Sequence, residues 1–263
     1  MRRLSLVVCS ALLLVLAACG SKDDGIPELP KDGGSISGGG GEQPPAPTAT
    51  VSGKISFEGE VPKPAKIITS ADPKCSEAIF NEETVVKDGG LANVIIYVSK
   101  GDVVGKNYAP PSTPVQIDQH GCHYIPHALI VQVNQDVQIK NSDDTLHNVH
   151  MFPAPGSGND AFNKGQPVKD MIVDHKFEHE EILLPVKCDV HKWMGAFIAV
   201  LTHPFGAVSG DGGKYELKLP AGKYELTAIH EKYGKQTAMV EVKDGDKAMQ
   251  DFKFKASDAT TGN

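Results

Sequence analysis

No stretch of the chain beyond residue 50 sustains the 3.6-residue apolar period of an amphipathic helix. Short β-branched and aromatic runs alternate instead with Gly, Pro, Asn and Asp punctuation, which reads as an all-β sandwich or barrel. Residues 51–57 alternate. Residues 91–98 form a near-continuous apolar run expected to be a core strand. Residues 129–133 and 137–140 are expected as two short strands around the turn Asn134-Gln135-Asp136. A further strand is expected at 197–201. The stretch 214–219 places Tyr215, Leu217 and Leu219 on one face, and after Pro220-Ala221-Gly222 the alternation resumes at Tyr224, Leu226 and Ala228. Residues 153–167 read as a long surface loop. Only 76–83 and part of 160–171 suggest modest helices.

Within this β-rich chain one segment carries unusual chemistry. Cys188-Asp-Val-His191-Lys-Trp-Met194 places a thiol, an imidazole and a thioether at Cys-x2-His-x2-Met spacing, and His147 supplies a second imidazole 41 positions upstream of Cys188. One Cys, two His and a weak Met are the donors of a mononuclear blue-copper site. Zinc tolerates Cys and His but gains little from Met, so copper is the expected ion. A binuclear copper centre needs a second loop Cys, and covalent haem needs Cys-x-x-Cys-His; neither is present. Met151 is a weaker axial competitor to Met194. His150, three residues beyond His147 on a strand, faces the other way and is read as a non-ligand. His120, His123 and His127 read as surface or strand-edge histidines, with an accessory metal patch as the alternative. No nucleophile elbow or ordered triad is visible, so no catalytic residues and no enzyme are expected.

The chain starts with a targeting pattern. Arg2 and Arg3 precede an apolar stretch over 4–18, too short for a comfortable membrane span. Leu16-Ala-Ala-Cys19 is similar to a bacterial lipobox. That resemblance implies a signal peptide over 1–18, acylation of Cys19, and, with Gly20 rather than Asp next, an outer-membrane anchor. Of 26 basic residues, Arg2 and Arg3 lie in this segment, so the mature chain carries 24 lysines against 33 acidic residues, a formal −9. That balance argues against nucleic acid and anionic lipid surfaces as partners. Residues 19–50, rich in Gly and Pro, read as a tether whose flexible part, about 30 residues, would span roughly 30 Å. Cys9 leaves with the signal and Cys19 takes lipid. If Cys188 binds metal, Cys75 and Cys122 are free to pair in an oxidising compartment.

Residues 124–150, with His147-Asn-Val-His-Met-Phe at their end, and Lys187 to Val200 resemble the two halves of a cupredoxin, most closely amicyanin. The resemblance implies a Greek-key cupredoxin sandwich with His147, Cys188 and His191 as ligands and Met194 axial. It makes Asn148 the residue that hydrogen-bonds around the Cys sulfur and ties the ligand segments together, and His191 the partner-facing edge. Lys192 and Trp193 depart from the family's Pro and Phe, and the stretch 153–171 is longer than in the small carriers. Gly213 to Leu226 resembles the carboxypeptidase regulatory-like, transthyretin-like β-sandwich repeats, and Val51 to Pro62 resembles the opening strand of such a module. The expected organisation is therefore an N-terminal β segment (51–117) that pairs with the C-terminal module, a cupredoxin-like domain (118–203), a carboxypeptidase regulatory-like module (204–256) and a disordered tail (257–263). The expected function is a lipid-anchored type 1 copper protein holding one ion, facing the periplasm and passing single electrons between periplasmic redox proteins. The alternatives are copper storage or delivery, and a metal-free structural envelope lipoprotein.

Overall fold

The computed structural model describes residues 41–75 and 79–260. The expected signal peptide, Cys19 and most of the tether lie outside the described residues, as do 76–78 and 261–263. Among the described residues no helix is long and apolar enough to cross a membrane.

The chain from residue 41 onward is all-β, as the punctuation implies, and its strands form two stacked pairs of sheets around separate cores. In the outer pair, the first long strand, Ala49–Glu58, is the organiser. It pairs antiparallel with Lys214–Leu219 and Gly90–Leu91, and parallel with Lys247–Met249 and Phe252–Lys255. The facing sheet runs Gly206–Val208, Ile95–Lys100, Gly222–His230, Gly234–Val242. Alternation places Val51, Ile55, Leu217, Leu219, Leu226 and Phe254 in one core. Each such aliphatic or aromatic side chain contributes roughly 1.5–3 kcal/mol on leaving water. Gly213, at φ 72, lies so close to Ile55 that a Cβ there would collide with its carbonyl oxygen.

The central pair of sheets holds the ligand candidates. One sheet runs Phe162–Gln166, His147–Met151, Glu181–Lys187, Gly195–Leu201, Ala128–Gln132; the other runs Ile172–His175, Val137–Asn141, Val115–His120, His123–Ile125. Leu129, Val131, Ile139, Val149, Val186 and Ile198 fill the space between them. A third small cluster, with Ile95, Ala128, Ala199 and Leu201 at its centre, joins the two cores.

Several local expectations are corrected. The expected loop 153–167 contains the strand Phe162–Gln166, which pairs with His147–Met151. That strand also replaces the helix suggested within 160–171. The described part of the 76–83 helix candidate is extended, with Phe80 bridged to Lys66. The expected single strand over 91–98 is broken in two, because Asn93 takes a left-handed conformation at φ 62. The last residues of the expected 19–50 tether are part of the folded body: Glu42 bridges to Tyr108, and a strand begins at Ala49. At the other end, Thr260 donates its backbone N–H to the Lys232 carbonyl, so the expected disordered tail is docked at least to that residue.

Candidate metal centre

Two strands of one sheet carry the donors. His147 opens His147–Met151, and Cys188 directly follows Glu181–Lys187; the pairing of Lys187 with His150 sets these ends side by side. The loop from Cys188 then folds on itself before Gly195–Leu201 begins. Met194 donates its N–H to the His191 carbonyl at 2.9 Å, Cys188 donates to the Met194 carbonyl at 3.3 Å, and the His191 N–H reaches the Cys188 Sγ at 3.3 Å. This tight turn brings a sulfur and an imidazole separated by three residues to one point.

His147, Cys188 and His191 are all buried, at 0%, 1% and 2% exposure. Their ligand atoms lie within 4.8 Å of one another, an arrangement that can hold a metal ion. His147 Nδ1 faces His191 Nδ1 at 2.9 Å, and Cys188 Sγ lies 3.9 Å from His191 Nδ1. Met194 is buried in the same core cluster.

The far nitrogen of each ring fixes the electronic state of the near one. His147 Nε2 lies 2.9 Å from Asp143 Oδ2, and His191 Nε2 lies 3.0 Å from Asp72 Oδ2. Burial of Asp143 works against its charge. Even so, the Cys122 N–H, the His147 ring and the Gly121 N–H hold its carboxyl below the usual range. A hydrogen bond from Thr145, ahead of those from the Lys74 N–H and His191, does the same for Asp72. Ionised carboxylates only accept, so each Nε2 carries the proton and each Nδ1 presents a lone pair. Two lone pairs facing at 2.9 Å repel unless a cation, a proton or a metal, lies between them. Desolvation holds the His147 pKa below the ordinary imidazole value and so disfavours the proton. Imidazoles oriented by carboxylates on the opposite nitrogen are the usual ligands of a protein metal site.

The surroundings tie the site down. A disulfide joins Cys75 to Cys122, and both sulfurs lie within 4.8 Å of a His191 ring nitrogen. Trp193 rests on the His191 ring with centroids 5.1 Å apart and donates its indole N–H to the Cys122 carbonyl at 3.2 Å. Asn148 links the two ligand segments. Its Oδ1 accepts the Asp189 N–H at 2.6 Å, and its Nδ2 donates to Asp189 Oδ2 and Asn163 Oδ1. It therefore grips the residue after Cys188, while the hydrogen bond to the sulfur comes from His191. His150 turns away from His147, as alternation requires; it faces Asp189 and stacks on Phe152.

One expectation is overturned. His191 is not a partner-facing edge, because it is 2% exposed and Asp72 caps its outer nitrogen. The exposed apolar side chains next to these residues are Leu146 and Val190, with Asp189 and Lys192 exposed beside them. Sequence reasoning also missed both carboxylates. Asp143 had a signal, four residues before His147 in a turn-rich loop. Asp72 had none, being 119 positions from His191 and delivered by the Cys75–Cys122 crosslink three residues on.

No protein-family model matches the chain, and no curated protein does. Solved structures similar to part of it include a copper-containing nitrite reductase from Thermus scotoductus SA-01, at 19% identity and TM-score 0.31 over 39% of this chain and 25% of that one. A purple cupredoxin from Nitrosopumilus maritimus matches at 23% identity and TM-score 0.29, over 33% of this chain and 98% of that one. An oxidised amicyanin carrying a proline-to-alanine substitution matches at 22% identity and TM-score 0.30, over 33% of this chain and 81% of that one. The chain thus spans a quarter of the nitrite reductase but nearly all of the small purple cupredoxin.

Proposed function

We propose that this protein is a mononuclear type 1 copper protein that carries single electrons. His147, Cys188 and His191 would hold the ion, with the Met194 thioether as a weaker fourth donor. The observation that carries the reading is the convergence of two Nδ1 lone pairs and one thiol in a buried pocket, each ring braced by its own carboxylate. Two imidazoles and a soft sulfur match copper better than the harder or purely borderline ions. Bound copper would supply a one-electron Cu(I)/Cu(II) couple. The chain supplies the rest: Asp72 and Asp143 fix the ring tautomers, Asn148 locks the two ligand segments, and burial excludes water. Burial of all three donors favours retention of the ion over its delivery.

The setting proposed is a lipid anchor at Cys19 in the outer membrane, with the folded body facing the periplasm and exchanging electrons with other periplasmic redox proteins. The Cys75–Cys122 disulfide supports an exported, oxidising location. The test is a visible spectrum on adding Cu(II). An intense thiolate-to-copper band and a reversible one-electron couple are expected, and Cys188→Ala is expected to abolish the band. A band that survives this substitution refutes the assignment.

A further inference from the structure

The Cys75–Cys122 disulfide lies against the ligand rings, and both of its residues are anchored by contacts other than the S–S bond. The Cys122 N–H donates to Asp143 Oδ2 and the Gly121 N–H to Asp143 Oδ1, both at 2.8 Å. The Cys122 carbonyl accepts the Trp193 indole N–H. Across the bond, the Cys75 N–H closes a turn on the Asp72 carbonyl at 3.1 Å. None of these contacts uses a sulfur atom, so they hold both cysteines whether or not the two are joined. Cys75, Cys122 and His191 are 2%, 1% and 2% exposed.

As thiols, the pair completes a donor set. Each sulfur lies within 4.8 Å of a His191 ring nitrogen, and Asp143 brings an oxygen within the same distance of the Cys122 sulfur and a His147 nitrogen. Ligand atoms around a tetrahedral zinc ion, with Zn–S about 2.3 Å and Zn–N about 2.0 Å, stand about 3.5–3.8 Å apart. The two Cα atoms are 5.7 Å apart, so turning the side chains about Cα–Cβ brings the parted sulfurs to that spacing. Two thiolates and an imidazole take soft and borderline ions such as Cu+ and Zn2+ in preference to hard ones. The carboxylates of Asp72 and Asp143, each against a ligand ring, add negative charge around such an ion.

We propose that Cys75 and Cys122 in their dithiol form make a second metal site with His191, for a soft or borderline ion of the Cu+ or Zn2+ kind, and that closing the disulfide abolishes it and releases His191 to the set with His147 and Cys188. A neutral imidazole has one lone pair, so His191 serves one set at a time. In the closing step the Cys75–Cys122 S–S bond forms and the S–S bond of a disulfide oxidant breaks. Two electrons and two protons pass from the thiols to the oxidant, which leaves as two thiols. In an ion-loaded chain the thiolates supply the electrons, solvent supplies the protons, and the ion departs with its sulfur ligands gone. A chain newly arrived in an oxidising compartment still carries thiols, so the dithiol site precedes the disulfide. Burial then shields the closed disulfide from reductants, which gives the change one direction. The release of His191 rests on the copper reading; the dithiol site does not.

Cys188→Ala removes the sulfur of the first set and leaves the second whole. After reduction in denaturant and refolding without oxygen, calorimetric titration of this variant is expected to show one equivalent of Zn2+ that the oxidised variant lacks. Adding His191→Ala is expected to weaken that equivalent at least tenfold. Oxidised glutathione is expected to close the disulfide and release the ion. Circular dichroism and the emission of Trp193, the chain's one tryptophan, report whether the reduced protein is folded. A folded reduced variant that binds no Zn2+, binds it equally well with His191→Ala, or keeps it after the disulfide has closed overturns the proposal. So does a reduced variant that stays unfolded with Zn2+ present, because a native donor set stabilises the fold it belongs to. Absence of the copper band in wild type counts only against the first reading.

Discussion

Replacing Asp72 by Asn changes one atom and removes one charge beside His191. Asp72 Oδ1 accepts the Lys74 N–H at 2.8 Å, while Oδ2 accepts from Thr145 Oγ1 at 2.6 Å and from His191 Nε2 at 3.0 Å. All three partners donate, and only a carboxylate can receive them on both sides. An Asn side chain offers one oxygen and one NH2 group. With its oxygen toward Lys74, its NH2 opposes the His191 N–H; flipped, it opposes the Lys74 N–H. In the first orientation the His191 proton moves to Nδ1 and closes the lone pair that the metal needs. The bond lost is charge-assisted and worth about 1.5–3 kcal/mol. At about 1.4 kcal/mol per decade, that corresponds to a metal affinity weaker by about 10–150-fold. Chelator competition measures the affinity, and long-range 1H–15N NMR of the metal-free protein reads the tautomer directly. A dissociation constant within about threefold of wild type, roughly 0.7 kcal/mol, together with an unchanged Nε2–H tautomer, would refute the account of how His191 is held.

Three further outcomes follow from other contacts. Removing the disulfide by Cys75→Ser with Cys122→Ser frees a loop with a sequence separation of 47; the chain-entropy argument expects a loss of about 4 kcal/mol, measured by denaturant unfolding. Asn148→Ala leaves the partly buried Asp189 N–H without its acceptor and is expected to cost about 1–3 kcal/mol and to loosen the ligand loop, seen as faster hydrogen exchange at residues 188–191. His203 is buried, donates to the Val98 carbonyl and accepts the Phe205 N–H, and desolvation depresses its pKa. The unfolded chain therefore binds the proton more readily, so stability is complete near neutrality and falls as pH drops below about 6.5. His203→Gln is expected to flatten that slope, and an unchanged slope counts against the assignment.

The all-β class was legible because alternation is a local property. Tyr215, Leu217 and Leu219 point inward in the structure for the same reason they alternate in the sequence. The turn after Cys188 was equally legible, since Cys188 and His191 are three positions apart and the turn between them brings the sulfur against the ring. What was not legible depends on distant partners. The strand Phe162–Gln166 has little intrinsic β preference, and it forms because His147–Met151 offers an open edge. The capping of His191 by Asp72 depends on a chain crossing that no spacing encodes. The same holds for Glu231, 104 positions from the His127 ring that it meets at 2.6 Å.

Ala49–Glu58 pairs with residues some 160 to 200 positions later, from Lys214 to Lys255. Apart from the short pairing of Ser56 with Gly90, an emerging chain therefore carries this strand unpaired until its last fifth arrives. The central sheets, whose pairings close within 115–201, can assemble first. Asp72 belongs to the early, waiting segment and lies across the ligand loop of the central sheets. The carboxylate brace on His191 is closed by Thr145, His191 and the Cys75–Cys122 crosslink, all before residue 214, so a protein cut short there would keep its donors and their brace while the long first strand stayed largely unpaired.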